Sequence, residues 1–130
     1  EYPNLYVVLG ESMLGGRLSF THERLRIIRD YPNALYAKVF DASVQAGGYN
    51  SYQEMRMFGI PTLFIPNTDT GMDDQVARCR KAEHEGWGIV CVHPSKENLN
   101  QSIGQLLDLS SAEGEETING AVKVASLLLK

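Results

Sequence analysis

The sequence predicts an α/β fold, a parallel sheet covered by helices on both faces. Apolar runs of strand length alternate with helix-length segments along the chain. Most of these runs are continuously apolar rather than alternating, as strands buried on both faces require. A glycine pair, Gly47-Gly48, stands between a strand and a helix. In a parallel sheet such a junction lies on the carboxyl-end rim, where ligand crevices form.

The elements follow in order. Residues 5–9, Leu-Tyr-Val-Val-Leu, read as a first strand closed by Gly10, and residues 12–20 as a glycine-containing loop. Residues 25–28 form a second strand. Residues 32–40 read as a helix with Pro32 early, where its missing N–H is harmless. Residues 41–46 form a strand leading into Gly47-Gly48. Residues 51–58 form a short helix stopped by Gly59. Residues 62–65 are a buried strand between Pro61 and Pro66, followed by a polar loop over 67–72. Residues 73–85 form a helix ended by Gly86, and residues 88–92 the last strand. Ser95 opens a helix with Leu99, Ile103, Leu106 and Leu107 on one face. Residues 110–116 read as an acidic loop and 117–130 as a final helix.

Composition bounds the function. At 130 residues, 43% of them hydrophobic, the chain is long enough for one domain with its own core. A net charge of -4 disfavours non-specific nucleic-acid binding, which calls for a basic face. Cys79 and Cys91 lack metal-type spacing and read as reduced interior residues, which points to the cytosol. No stretch approaches the roughly 20 apolar residues that span a bilayer. The start at Glu1 rather than a methionine reads as a fragment of a larger protein. His22, His84 and His93 are scattered, without the spacing of a metal site, and read as surface residues.

The chemistry gathers around the glycine pair. Two glycines let the backbone approach a ligand closely, and the helix that follows aims free N–H groups and its positive end at the same spot. That arrangement favours a phosphate or diphosphate. Glu54, in the first turn of the predicted helix, is placed to accept hydrogen bonds from sugar hydroxyls. The plain alternatives are a tight structural turn, and a capping box in which Ser51 and Glu54 close the helix start. Asp74 and Gln75 open the next helix and read as sugar-facing residues or as a solvated first turn. Asn67 and Thr68 lie in the loop that shares the rim, and Tyr49 is either a stacking platform or a packing residue. Arg78, Arg80 and Lys81 read as a solvated basic face, and Met55, Met57 and Phe58 as core.

In order, these pieces resemble the C-terminal, donor-binding domain of family 28 glycosyltransferases, enzymes of the two-domain, Rossmann-like GT-B architecture. The family includes the lipid II-forming N-acetylglucosaminyltransferase and the plant galactolipid synthases. The match runs over about residues 25–88. It rests on Gly47-Gly48, on Glu54 five residues before Gly59-Ile60-Pro61, on the strand ending at Pro66, on Asp74-Gln75, and on Gly86 eleven residues later. The resemblance implies that Gly47, Gly48, Tyr49, Asn50 and Ser51 cradle the diphosphate and that Glu54 holds the ribose. It implies that Asp74 and Gln75 read the donor sugar, with Asn67 in the same cleft, and that Arg29 and Asp30 border the base. The implied donor is a nucleoside diphosphate sugar, a UDP sugar first, transferred as a hexosyl group with inversion and without a tightly bound metal or other cofactor.

The family's domain begins with a further strand, a Gly/Ser-rich loop and a helix, and that strand lies mid-sheet. This chain is expected to begin at the second strand. The acceptor-binding domain, the usual source of the catalytic base, is expected on another part of the protein or on a partner chain. The 130-residue chain alone is therefore expected to be inactive, with any peripheral membrane contact belonging to the full protein. Two other readings stand beside this one. One is the donor-binding subunit of a transferase split into two chains, the other a GT-B relative that hydrolyses or epimerises nucleotide sugars.

Overall fold

The structure is a computed structural model, described here over residues 2–11, 14–29, 33–69 and 71–109. The loop expected at 110–116, the helix expected at 117–130, Pro32 and Asp30 lie outside those residues. Contacts divide the chain into two compact units, Glu1–Tyr36 and Ala37–Lys130. No helix among the described residues is long and apolar enough to cross a membrane.

In the first unit, β1 (Val7–Gly10) pairs in parallel with β2 (Leu25–Ile28), Val7 opposite Leu25 and Gly10 opposite Ile28. These two strands form a sheet of their own. Val7 and Val8 are both substantially exposed, although successive strand side chains face opposite ways. Each face of this ribbon therefore carries an exposed valine.

A seven-residue 3-10 helix, Asn33–Val39, replaces the expected α-helix. Leu35, Tyr36 and Val39 are exposed, while Ala37 is buried. Of residues 35–39 only Ala37 is buried, which is little packing to support an α-helical nucleus.

The second unit carries the three-stranded sheet β3-β4-β5, all parallel, from β3 (Ser43–Gln45), β4 (Thr62–Phe64) and β5 (Gly88–Val90). Between them run α1 (Tyr49–Phe58) and α2 (Gln75–His84), and α3 (Lys96–Asp108) follows β5. β4 is central and fully buried, so it splits the core in two. Phe64 packs with Tyr52 of α1, Cys79 and Ala82 of α2, and Trp87. Leu63, on the opposite face, packs with Leu99, Ile103 and Leu106 of α3. Helices therefore cover both faces of this sheet. Thr62 shares the Phe64 face, and its buried hydroxyl donates to the Ile60 carbonyl at 2.9 Å.

Helix ends follow local chemistry. Gly59 adopts φ +66° and ends α1, with Ile60 N–H on Met55 O at 3.0 Å and Gly59 N–H on Arg56 O at 3.2 Å. This is a Schellman ending, with Ile60 and Met55 in one cluster. Gly86, φ +82°, ends α2 with the same pattern. Ser95 caps α3, its hydroxyl accepting from Asn98 N–H at 3.1 Å. Two core assignments need correction. Met57 and Leu107 are each 43% exposed, because each lies off the buried stripe of its helix.

Candidate functional site

Because β3, β4 and β5 are parallel, their carboxyl ends share one rim. β3 leads through Gly47-Gly48 into α1, and β4 leads through the 65–74 loop into α2. The glycines of the pair differ. Gly47 is buried at φ +90°, and a Cβ there would sit 2.4 Å from Cys79 Sγ and 3.3 Å from Phe64 Cδ1. Gly48 has an ordinary φ of -57°, and a Cβ there would meet nothing within 4 Å. Gly47 is thus required by packing and backbone, whereas Gly48 leaves open space beside the helix start.

α1 begins two residues earlier than expected. Tyr49, Asn50 and Ser51 are its exposed first residues, and Gly48 is its N-cap. Two expectations change as a result. Glu54 lies in the second turn rather than the first, and the Ser51–Glu54 capping box does not form, because Ser51 is already inside the helix. Glu54 is half-buried, and its carboxylate has no hydrogen bond or ion pair among the described residues.

The three described α-helices start differently. Asp74 caps α2, its Oδ1 accepting from Ala77 N–H at 2.9 Å, and Ser95 caps α3. α1 has no side-chain cap and no acidic residue in its first turn. Among the described residues, no acceptor meets the N–H groups of Gly48, Tyr49, Asn50 or Ser51. That helix end keeps its partial positive charge and its donors for something else.

Beside the N-terminus of α2 lies a cleft of about 350 Å³ lined by Asn67, Thr68, Gly71, Met72, Asp73, Asp74, Gln75 and Val76. Gln75 is 9% exposed, and its Oε1 accepts from Asn67 N–H at 3.0 Å. Asn67 Oδ1 in turn accepts from Asp69 N–H at 3.0 Å, folding the loop onto itself. Asp74 and Asn67 are exposed in this wall, whereas Gln75 is built into it.

Arg78 is not on a solvated face. Its Nη1 donates to Gly47 O at 2.9 Å and to Asp73 Oδ2 at 3.2 Å, its Nη2 donates to Asp73 Oδ1, and its guanidinium lies 5.5 Å over the Tyr49 ring. Hydrogen bonding from Arg78 holds the Asp73 carboxyl below its usual range, and Asp73 raises Arg78. Arg80 and Lys81 instead pair with Glu83 and Glu85. Helical spacing is the signal that separates them: Arg78 falls four residues after the Asp74 cap, on the rim side. Cys79, pressed on Gly47, has its thiol pushed up to about 11 by burial.

Arg29 lies in the other unit and pairs with Glu11, Nε to Oε2 at 2.8 Å. Glu11 also accepts from Leu18 N–H, which with Arg29 lowers its carboxyl. His22, His84 and His93 are exposed.

No family model matches the sequence. An uncharacterized glycosyltransferase of Methanosarcina acetivorans is 30% identical over 89 residues, covering 65% of this chain and 22% of that protein. Among solved structures, the glycotransferase of kitacinnamycin superposes with a TM-score of 0.65 at 20% identity, covering 82% of this chain and 28% of the other. Spinosyn forosaminyltransferase SpnP gives 0.67 at 15% identity, covering 96% and 36%. The chain has the α/β, Rossmann-like fold of GT-B glycosyltransferases. It spans between a fifth and two fifths of the length of these relatives. Against this fold, the uncapped start of α1 and the cleft before α2 both lie on the carboxyl-end rim, where open α/β sheets bind their ligands.

Proposed function

We propose that this chain binds the nucleoside diphosphate sugar, a UDP sugar first, of an inverting glycosyltransferase that transfers a hexosyl group. The observation that carries the reading is the N-terminus of α1, which alone of the three described α-helices lacks a side-chain cap and opens from a glycine with free space beside it. Its amides would bind the diphosphate and stabilise the charge that grows on it as the anomeric bond breaks, an electrostatic contribution to catalysis. The adjoining cleft would take the sugar, with Asn67 and Asp74 exposed in its wall and Gln75 holding that wall in shape. Glu54, whose carboxylate has no protein partner among the described residues, would accept from the ribose hydroxyls. Holding the donor in this way lowers the entropic part of the barrier. The base that activates the acceptor would come from outside this chain, from an acceptor-binding domain or a partner chain.

Calorimetric titration with UDP and 3′-deoxy-UDP tests the reading. Wild type is expected to prefer UDP about tenfold, the worth of one charge-assisted hydrogen bond, and Glu54→Ala to lose that preference. Equal affinity of wild type for both ligands would remove Glu54 from the ribose, and no binding of either would remove the nucleotide.

A further inference from the structure

The orientation of the diphosphate donors is set from behind. Gly47 O is held by Arg78 Nη1 at 2.9 Å, and Arg78 is itself aimed by both carboxylate oxygens of Asp73. In a planar trans peptide the carbonyl and the next N–H point in opposite directions. With Gly47 O drawn toward Arg78 on α2, the N–H of Gly48 is directed away from α2. The guanidinium also lies over the ring of Tyr49, the first helical residue, so it touches the turn at two points. Arg78 is largely buried, its side chain 19% exposed, and Asp73 lines the neighbouring cleft.

We propose that Arg78 is a positioning residue for donor binding, acting through the Gly47–Gly48 peptide and Tyr49 rather than by contact with the ligand. The inference rests on the nucleotide reading above. The Asp73–Arg78 pair ties the two rim loops together, the turn after β3 and the loop before α2. A ligand that orders one loop therefore meets the other already in place, and the free amides at the start of α1 need no rearrangement to converge on a diphosphate. Lysine cannot take over this role. Its single ammonium lacks the planar fork that reaches a carbonyl and both oxygens of a carboxylate together.

The test is UDP affinity in wild type, Arg78→Ala, Arg78→Lys and Asp73→Asn, with amide NMR of residues 48–51 in the same samples. Arg78→Ala is expected to weaken UDP about tenfold and to shift the Gly48 and Tyr49 amides before ligand is added. Millimolar guanidinium is expected to restore much of the affinity, a rescue that a general loss of packing would not show, while Arg78→Lys stays weak. If Arg78→Ala does not fold, Asp73→Asn carries the test, with a smaller loss and shifts at the same two amides. Unchanged affinity in a folded variant overturns the role of Arg78 and leaves the nucleotide site standing. Failure of wild type to bind UDP overturns the nucleotide reading, and the role of Arg78 with it.

Discussion

Phe64→Ala is expected to destabilise the unit Ala37–Lys130 by about 3–5 kcal/mol, the usual cost of emptying a buried aromatic site. Phe64 is fully buried on the central strand, with its ring 5.6 Å from Tyr52 and 5.7 Å, edge-on, from Trp87. It is also the surface on which two glycines rest: Cβ atoms built at Gly47 and Gly88 would come within 3.3 and 3.0 Å of its ring. Removing the ring therefore opens a cavity between α1, α2 and the sheet, and it undercuts the turn that leads into α1. Urea unfolding followed by the fluorescence of Trp87, the single tryptophan, measures the effect. A loss below about 1 kcal/mol would mean that the Tyr52–Phe64–Trp87 cluster is not the centre of this core.

Gly47→Ala is expected to cost about 3 kcal/mol, from two sources. A side chain at φ +90° is strained in any surroundings, and the added methyl would lie 2.4 Å from Cys79 Sγ. The two sources separate in a double variant. In a Cys79→Ala background the clash with Sγ is removed and the 3.3 Å approach to Phe64 Cδ1 remains, so the cost of Gly47→Ala should drop to about 1–2 kcal/mol, mostly the backbone part. An unchanged cost would place the clash elsewhere. Gly48→Ala, with ordinary φ and open space, should shift stability by no more than about 0.5 kcal/mol.

That contrast marks a boundary in what the sequence reveals. β2, β4, the Gly59 and Gly86 stops and the Ser95 start are legible because each rests on local chemistry: short runs dominated by apolar residues, glycines in left-handed backbone, a hydroxyl cap. The sequence places the start of α1 two residues late because Ser51-x-x-Glu54 imitates a capping box. The true N-cap is a glycine with no side chain to announce itself. Gly47 and Gly48 are identical letters, and only the positions of Cys79 and Phe64, 32 and 17 residues after Gly47, tell them apart. Arg78 was hidden for a similar reason. Its partners, the Gly47 carbonyl and the Tyr49 ring, become neighbours only once β3 and β4 pair and bring α1 and α2 to one face. The 3-10 segment Asn33–Val39 leaves Leu35, Tyr36 and Val39 exposed, and that exposure is not encoded in periodicity alone.

Binding of a diphosphate at the uncapped start of α1 is tested most directly by amide NMR during a UDP titration of wild type and Gly48→Ala. The expected result is saturable shifts led by Gly48, Tyr49, Asn50 and Ser51 in wild type, with weaker UDP binding in Gly48→Ala at unchanged stability, because a methyl there fills the space beside the donors. A well-dispersed wild-type spectrum with no shifts at those four residues, or equal UDP affinity in the two proteins, would contradict it.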